Sequence, residues 1–358
     1  MDICIISGHQ GSSAWQEMIE KFSIKFNSSY IVKGLSDEKY RKTGRLNRFL
    51  NRFYIFVLYP LKIIFSLKKI KRYKKIIVVS SPFFLPLMMC FLVKRENLVI
   101  FQNDLYPEGL RSIPILKSKI FFNLFRKYSD KYYSQCLNIF ISNTLKLQRS
   151  YPRSEVLYTP SSRRQKKYNS SKTNNISIGY IGSLGYYHFG DGFLKMLKNS
   201  YFEVPTEFFF RISGSSSRKF REESKKIKNI NNLKEFDVCG SLDSNEFQKV
   251  MNSLHYGLVL MDENSSSINF PSKFPSYLSF GNPVILISDQ KNEIHDLILE
   301  NDVGISINLE DKNLNSLNNF FNENNYSNLS ENSLKLFEMN FSSNTVSESF
   351  FKIISKYD

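Results

Sequence analysis

Short apolar runs recur along the whole chain, each followed by a polar or glycine-bearing lip and then a helical stretch, and this alternation restricts the fold more than any other feature. Ile3 to Ser7, Lys75 to Ser80, Leu98 to Phe101 and Leu137 to Ser142 read as strands in the first half. In the second half Ile176 to Gly182, Glu207 to Ser213, Phe236 to Leu242, Tyr256 to Met261 and Val284 to Ser288 do the same. Lys75 to Ser80 shows no apolar/polar alternation, as expected of a parallel strand covered on both faces. Strand, lip and helix in succession make βαβ units. Ser161 to Asn175, a polar run of Ser, Arg, Lys and Asn, reads as a linker between them. The expected architecture is therefore α/β, with two Rossmann-like βαβ domains, which suits a chain of 358 residues.

Charge divides the chain as the linker does. Met1 to Asn175 holds 32 Lys and Arg against 10 Asp and Glu, whereas the remainder holds 17 against 23. A basic half suits nucleic acid, an anionic membrane or acidic substrates. No zinc-finger, RNA-recognition or helix-turn-helix signature accompanies the charge, so nucleic acid is not expected as a partner. Residues 39–75 carry 13 basic side chains and no acidic one, around the apolar run Phe53 to Phe65. That run is 13 residues long and contains Pro60 and Lys62, while a spanning helix needs about 20. It suits a membrane surface, where aromatics and cations meet the headgroups, and it also suits a packed helix with solvated charges.

Cys4, Cys90, Cys136 and Cys239 show no Cys-x-x-Cys spacing and read as reduced core thiols. Met1 to Ser7 lacks the basic start and cleavage site of a signal peptide. A cytoplasmic protein, peripheral on the inner face of the cell membrane, is expected.

Ligands of open α/β sheets bind at the carboxyl ends of strands, and the residues there are the candidates. After the first strand come Gly8, His9, Gly11, Ser12 and Ser13, whose glycines do not spell a dinucleotide fingerprint. His9 stands at the lip, although loop histidines are also ordinary exposed polar groups. Asp104 follows the strand at Leu98 and could serve as a base or only as an N-cap. Asn269 to Ile285 reads as a Pro-bounded loop, a short helix with Lys273 in its first turn, a stop at Gly281 and a buried strand. Ser272, Lys273 and free backbone N–H groups at a helix mouth suit a phosphate or diphosphate. A solvated helix start accounts for the same residues.

Four segments of the second half, taken in order, resemble the nucleotide-sugar domain of GT-B glycosyltransferases, especially family 4-like enzymes of bacterial surface-polysaccharide synthesis. They are Gly179 to Leu184, Phe209 to Gly214, Val238 to Phe247, and Pro271 to Phe274 continuing through Gly281 to Ile285. In the first half, Asp104-Leu105-Tyr106-Pro107-Glu108 is similar to a stretch in some of these enzymes. The last helix, with Val346, Phe350, Ile353 and Ile354 in helical period, resembles the segment that crosses back to the first domain. The family's two glutamates separated by seven residues are missing, since Ile268 and Ser276 occupy those positions.

The resemblance implies two domains facing a cleft: 1–165 for the acceptor and membrane, 176–343 for the donor, and 344–358 crossing back. It implies a metal-independent, hexosyltransferase-like enzyme without a cofactor, moving a sugar from a nucleoside-diphosphate sugar, expected to be a UDP-sugar, to a lipid-linked saccharide in capsule, O-antigen or exopolysaccharide synthesis. Lys273, Ser272 and the turn Gly182-Ser183-Leu184-Gly185 would hold the diphosphate, with Tyr277 on the same helix. Gly240, Ser241 and Leu242 would support the base. Asp104, His9 and the loop of Gly8, Gly11 and Ser12 would face the acceptor, with Asp104 as base if the enzyme inverts. Tyr186, Tyr187 and His188 could border the donor sugar or lie on the surface. A sugar-nucleotide epimerase on the same architecture and a non-catalytic membrane- or polysaccharide-binding module are the alternatives.

Overall fold

The computed structural model describes residues 2–9, 13–35, 45–110, 119–162, 175–184, 189–214, 216–240, 242–262, 268–288 and 292–357. Most of the linker, 163–174, lies outside them, as do residues 39–44 of the basic segment. The chain forms two compact units, Met1–Ser161 with Phe341–Asp358, and Ser162–Asn340.

The first unit is built on a six-stranded parallel sheet of order β2-β1-β3-β4-β5-β6. Its strands are β1 (Asp2–His9), β2 (Asn27–Leu35), β3 (Lys75–Val79), β4 (Leu98–Gln102), β5 (Leu137–Phe140) and β6 (Ser154–Val156). Every residue of β3, β4 and β5 is buried, so the continuous apolar runs are inner strands, as their pattern predicts. β2 was not expected. Its sequence, Asn-Ser-Ser-Tyr-Ile-Val-Lys-Gly-Leu, is half polar, and it pairs with β1 at the sheet's edge, where burial asks less of the sequence.

Between β2 and β3 the chain is helical from Arg45 to Ile70 as α2 (Arg45–Phe53), a π turn (Tyr54–Leu58) and α3 (Tyr59–Ile70). Ile55, Tyr59, Ile63 and Ile70 are buried while the apolar residues between them are largely exposed. No helix among the described residues is long and apolar enough to cross a membrane. The next helix, α4 (Leu85–Leu92), carries Pro86 in its first turn, and Pro82 lies in the turn before it. Then come α5 (Lys119–Tyr133) and α6 (Asn143–Leu147), the latter capped by the Ser142 hydroxyl, which accepts from the Leu145 amide.

The last helix, Ser343–Lys356, belongs to this first unit although it follows the second in sequence. Phe350 stacks on Phe22 with ring centroids 4.6 Å apart, and Phe351 on Phe26 at 4.8 Å. Lys75 donates to the Tyr357 carbonyl at 2.6 Å, and Lys356 and Tyr357 both donate to Glu155. The amphipathic period of Val346, Phe350 and Ile354 thus marks a helix that returns to the first domain's sheet.

The second unit also carries a six-stranded parallel sheet, of order β12-β11-β10-β7-β8-β9. The strands are β7 (Ile176–Ser183), β8 (Thr206–Ser213), β9 (Leu233–Cys239), β10 (Tyr256–Leu260), β11 (Val284–Ser288) and β12 (Gly304–Asn308). One face packs Tyr180, Phe193, Phe208, Phe210 and Phe220 into a single aromatic core with Leu258, Ile285 and Ile287. The helices are α7 (Gly190–Lys198), α8 (Ser217–Ser224), α9 (Ser244–Ser253), α10 (Lys273–Leu278), α11 (Glu293–Asn301), α12 (Ser316–Glu323) and α13 (Tyr326–Asn340). The cap of α9 is Asp243. Its carboxylate accepts from the Asn245 and Glu246 amides, and Glu246 reaches back to the Asp243 amide, a complete capping box.

Candidate active site

In the second unit the site is assembled around Tyr277, one turn after Lys273 on α10. The spacing of four residues puts both side chains on one face of the helix. That face meets the central strands where they lack side chains. A Cβ on Gly257 of β10 would sit 2.1 Å from Tyr277 Cγ, so only glycine admits the ring. The Tyr277 hydroxyl, fully buried, donates to the Gly179 carbonyl at 2.9 Å and accepts from the Ile181 amide at 3.0 Å. Tyr277 therefore fixes the strand immediately before the Gly182 turn.

This packing carries a testable consequence. Gly257→Ala overfills the contact, and overpacking of this kind costs about 1–3 kcal/mol. In a domain of this size that lowers the melting temperature by roughly 2–4 °C per kcal/mol. Calorimetry checks it; an unchanged melting temperature would mean that the Tyr277 ring does not lie on this strand.

Lys273 reaches the same turn. Its ammonium donates to the Tyr180 hydroxyl at 2.7 Å and lies 4.1 Å from the Tyr180 ring centroid. The Tyr180 hydroxyl in turn donates to the Ser183 carbonyl at 2.7 Å. Gly182 has φ +134, a conformation that disfavours any side chain, and a Cβ there would stand 3.7 Å from Lys273 Cε. Among the described residues Lys273 makes no ion pair. Burial pulls its pKa down to about 7. The same burial pushes the Tyr180 phenol well up, with the neighbouring Tyr277 adding to it.

The turn itself is braced from β8. The Leu184 amide donates to the Ser213 carbonyl at 2.7 Å, and the Leu184 carbonyl accepts from Ser216 at 3.1 Å. Leu184 is buried and its N–H is engaged within the turn, so it shapes the site instead of offering a donor to a ligand. Gly214, at φ +100, lies against Ser183 and Leu184. Ser272 is exposed and its side chain does not cap α10. Ser276, standing where the family's second glutamate falls, turns its hydroxyl back to the Ser272 carbonyl at 2.9 Å. The buried Asn282 side chain donates to the Met251 carbonyl at 2.8 Å and ties the end of this segment to α9. On the neighbouring lip Gly240 is open, with no atom within 4 Å of where a Cβ would be, and Leu242 is half-buried. Arg211 is held beside it by Asp237 at 2.6 Å.

The first unit brings its own candidates to one lip. Gly8 donates its amide to the Ser81 carbonyl at 2.8 Å, where a Cβ would collide with that carbonyl at 2.7 Å. His9 closes β1 and pairs with Leu35. Asp104 lies two residues beyond β4, and the Asn103 amide before it is anchored on the Ser80 hydroxyl at 3.1 Å. Asp104 is half-buried, and burial raises its carboxyl pKa while the facing Tyr106 hydroxyl, 3.4 Å away, lowers it in part. The rest of that segment is structural. Glu108 pairs with the buried Arg149 at 2.6 Å, and Arg149 also donates to the Tyr106 carbonyl at 3.3 Å. Gly11, Ser12, Gly185, Ser241, Tyr186, Tyr187 and His188 lie outside the described residues.

Two polar anchors, one in each unit, were not legible beforehand. Tyr180 sits inside an apolar strand and reads as core, yet both its hydroxyl and its ring face Lys273. Arg149 lies outside any motif, in the loop after α6, and its link to Glu108 spans 41 residues.

No curated protein matches the chain in sequence. Residues 206–347 match a family model described as glucosyltransferase 3-like, C-terminal domain. Among solved structures, HepE of Anabaena in complex with UDP and glucose is 12% identical, with a TM-score of 0.64 over 99% of this chain and 100% of its own. The lipopolysaccharide outer core galactosyltransferase WaaB, in its apo form, is 13% identical, with a TM-score of 0.60 over 99% of each chain. The sucrose-phosphate synthase of Thermosynechococcus elongatus is 9% identical, with a TM-score of 0.67 over 99% of this chain and 98% of that one. Identities this low speak to architecture. The two Rossmann-like parallel-sheet domains have the GT-B architecture of these structures, and the glucosyltransferase 3-like match falls mostly in the second of them.

Proposed function

We propose that this protein is a family 4-like, hexosyltransferase-type GT-B enzyme that moves a sugar from a UDP-sugar to a lipid-linked saccharide held at an anionic membrane, in the synthesis of a surface polysaccharide. The observation that carries the reading is Lys273, a cation without a carboxylate partner among the described residues, lodged beside the strained Gly182 turn at the carboxyl end of a parallel sheet. When the nucleotide departs, negative charge develops on its diphosphate, and a preorganised cation stabilises that charge most where water is excluded. Lys273 moves from the Tyr180 hydroxyl to the phosphate oxygens, Gly182 lets backbone approach them closely, and the open Gly240 lip receives the base. The cationic role is filled by a side chain, so the proposed reaction is independent of metal and cofactor. UDP is favoured because HepE, which shares the fold, was solved with it.

The acceptor side is assigned to the first unit, with Asp104 as base at its lip and residues 39–75 as the membrane-facing segment. The work is then done at the cytoplasmic face of the membrane. The test is a panel of nucleotide sugars, with released nucleotide measured with and without a membrane lipid extract. Release from one UDP-sugar, stimulated by the extract, is the expected result. Conversion of the sugar nucleotide without acceptor points to an epimerase, and binding without turnover to a non-catalytic module; either overturns the proposal.

A further inference from the structure

The apolar stripe along α2, the π turn and α3 is the most exposed hydrophobic surface among the described residues. Phe49, Phe53, Phe56, Leu61, Ile64 and Phe65 are between 43% and 85% exposed. A π turn, wider than an α turn, joins α2 to α3 within the stripe. Residues 45–75 contain no Asp or Glu. A second copy laid on this face would set like charges against one another, whereas an anionic lipid surface is complementary to it.

The stripe does not end at the surface. The Phe56 ring lies 6.3 Å from Phe83 and 5.9 Å from Phe84, which are half-buried in the turn that precedes α4. Phe83 lies 5.6 Å from Phe125 of α5 and 5.6 Å from Tyr106. Tyr106 is the residue whose hydroxyl faces Asp104. An unbroken aromatic seam thus runs from the exposed helix face to the lip that holds the candidate base. A core alone has no need to open onto a basic, apolar surface at one end and a carboxylate at the other.

We propose that this seam binds the hydrocarbon chain of the lipid-linked acceptor, entering over Phe56, lying against Phe83, Phe84 and Phe125, and so bringing the saccharide end to Asp104. The proposal rests on the membrane-held acceptor reading and adds to it a specific site for the chain. It makes the outer stripe and the seam separable. The stripe holds the protein at the bilayer, and the seam selects a long apolar chain.

The experiment uses the full chain and a diazirine-bearing long-chain polyisoprenyl phosphate in nonionic detergent micelles, with labelled peptides located by mass spectrometry. Label is expected on the peptides that contain Phe83–Phe84 and Phe125. Phe84→Ser should cut that labelling about tenfold, the effect of withdrawing one aromatic contact. Phe56→Ser, at a position 45% exposed, should act in the same direction, with circular dichroism showing that the fold is kept. The double change Leu61→Ser with Phe65→Ser should leave seam labelling intact while weakening sedimentation with phosphatidylglycerol vesicles. Seam labelling without vesicle binding keeps the chain site and removes the membrane reading. Label confined to the outer stripe, or wild-type labelling in a Phe56→Ser variant, overturns the seam. So does a dimer in lipid-free sedimentation that the stripe substitutions dissolve, because the stripe then belongs to a second copy.

Discussion

Lys273→Ala is expected to lower kcat/KM for the nucleotide sugar about 10²–10³-fold, the usual loss when one preorganised charge stabiliser is removed from a developing anion. The fold should survive, because the ammonium holds no carboxylate among the described residues and Tyr180 keeps its bond to Ser183. Lys273→Arg should rescue only in part, since a planar fork does not place its charge where the compact ammonium stands. The pH dependence follows from the depressed pKa of about 7. Free enzyme binds a diphosphate best when Lys273 is charged, so UDP affinity is flat below pH 7 and falls as pH rises above it. Binding restores the charge, so Lys273 takes up a proton from buffer when UDP binds near and above neutrality, and calorimetry in buffers of different ionisation heat detects it. Full activity in Lys273→Ala, or UDP binding without proton uptake, would remove Lys273 from the donor site.

Much of this was legible in the sequence, for a physical reason. Inner parallel strands must be apolar on both faces, so Ile76 to Val79 and Val284 to Ile287 announce themselves. Gly281, Pro283 and the run before them mark a helix stop and the next strand, and α10 and β11 lie there. The last helix declared its buried face at Val346, Phe350 and Ile354. What escaped was polar or remote. β2 and β12 stand at sheet edges, where polar residues such as Asn27, Ser28, Ser306 and Asn308 are tolerated. Tyr180 escaped because a buried ring looks like any other core residue until the partner of its hydroxyl is known. The seam escaped because Phe56, Phe83, Tyr106 and Phe125 come from four separate segments, which no local pattern connects.

On the proposed reading the two units would divide the work by charge. Lys273 lies in the half that is net acidic, so a diphosphate there would be met by one local charge and by backbone, not by a broad basic field. The first unit carries the field, spread over 45–75 and α5, where it suits an extended anionic surface. The proposed soluble, doubly charged donor and surface-bound acceptor would call for those two different electrostatic designs.

Asp104→Asn is the second substitution expected to have a large effect, and its outcome depends on the stereochemistry of transfer. If the enzyme inverts, a general base must accept the acceptor's proton, and such bases contribute typically 10²–10⁴-fold. Asp104 is the carboxylate at the first unit's lip, half-buried and facing Tyr106. Burial raises its pKa, so the carboxylate is a better base than an exposed one yet must be ionised to act. Activity should therefore climb with pH through that raised pKa, and Asp104→Asn should flatten this limb while lowering kcat by about 10²–10⁴-fold and leaving donor KM nearly unchanged. Tyr106→Phe removes the hydroxyl that favours the ionised form, and it should shift the same limb to higher pH with a much smaller loss of rate. The product's anomeric configuration, read by NMR, decides what the numbers mean. Inversion with a fully active Asp104→Asn variant would exclude Asp104 as the base, and retention with a full loss would assign it to holding the acceptor.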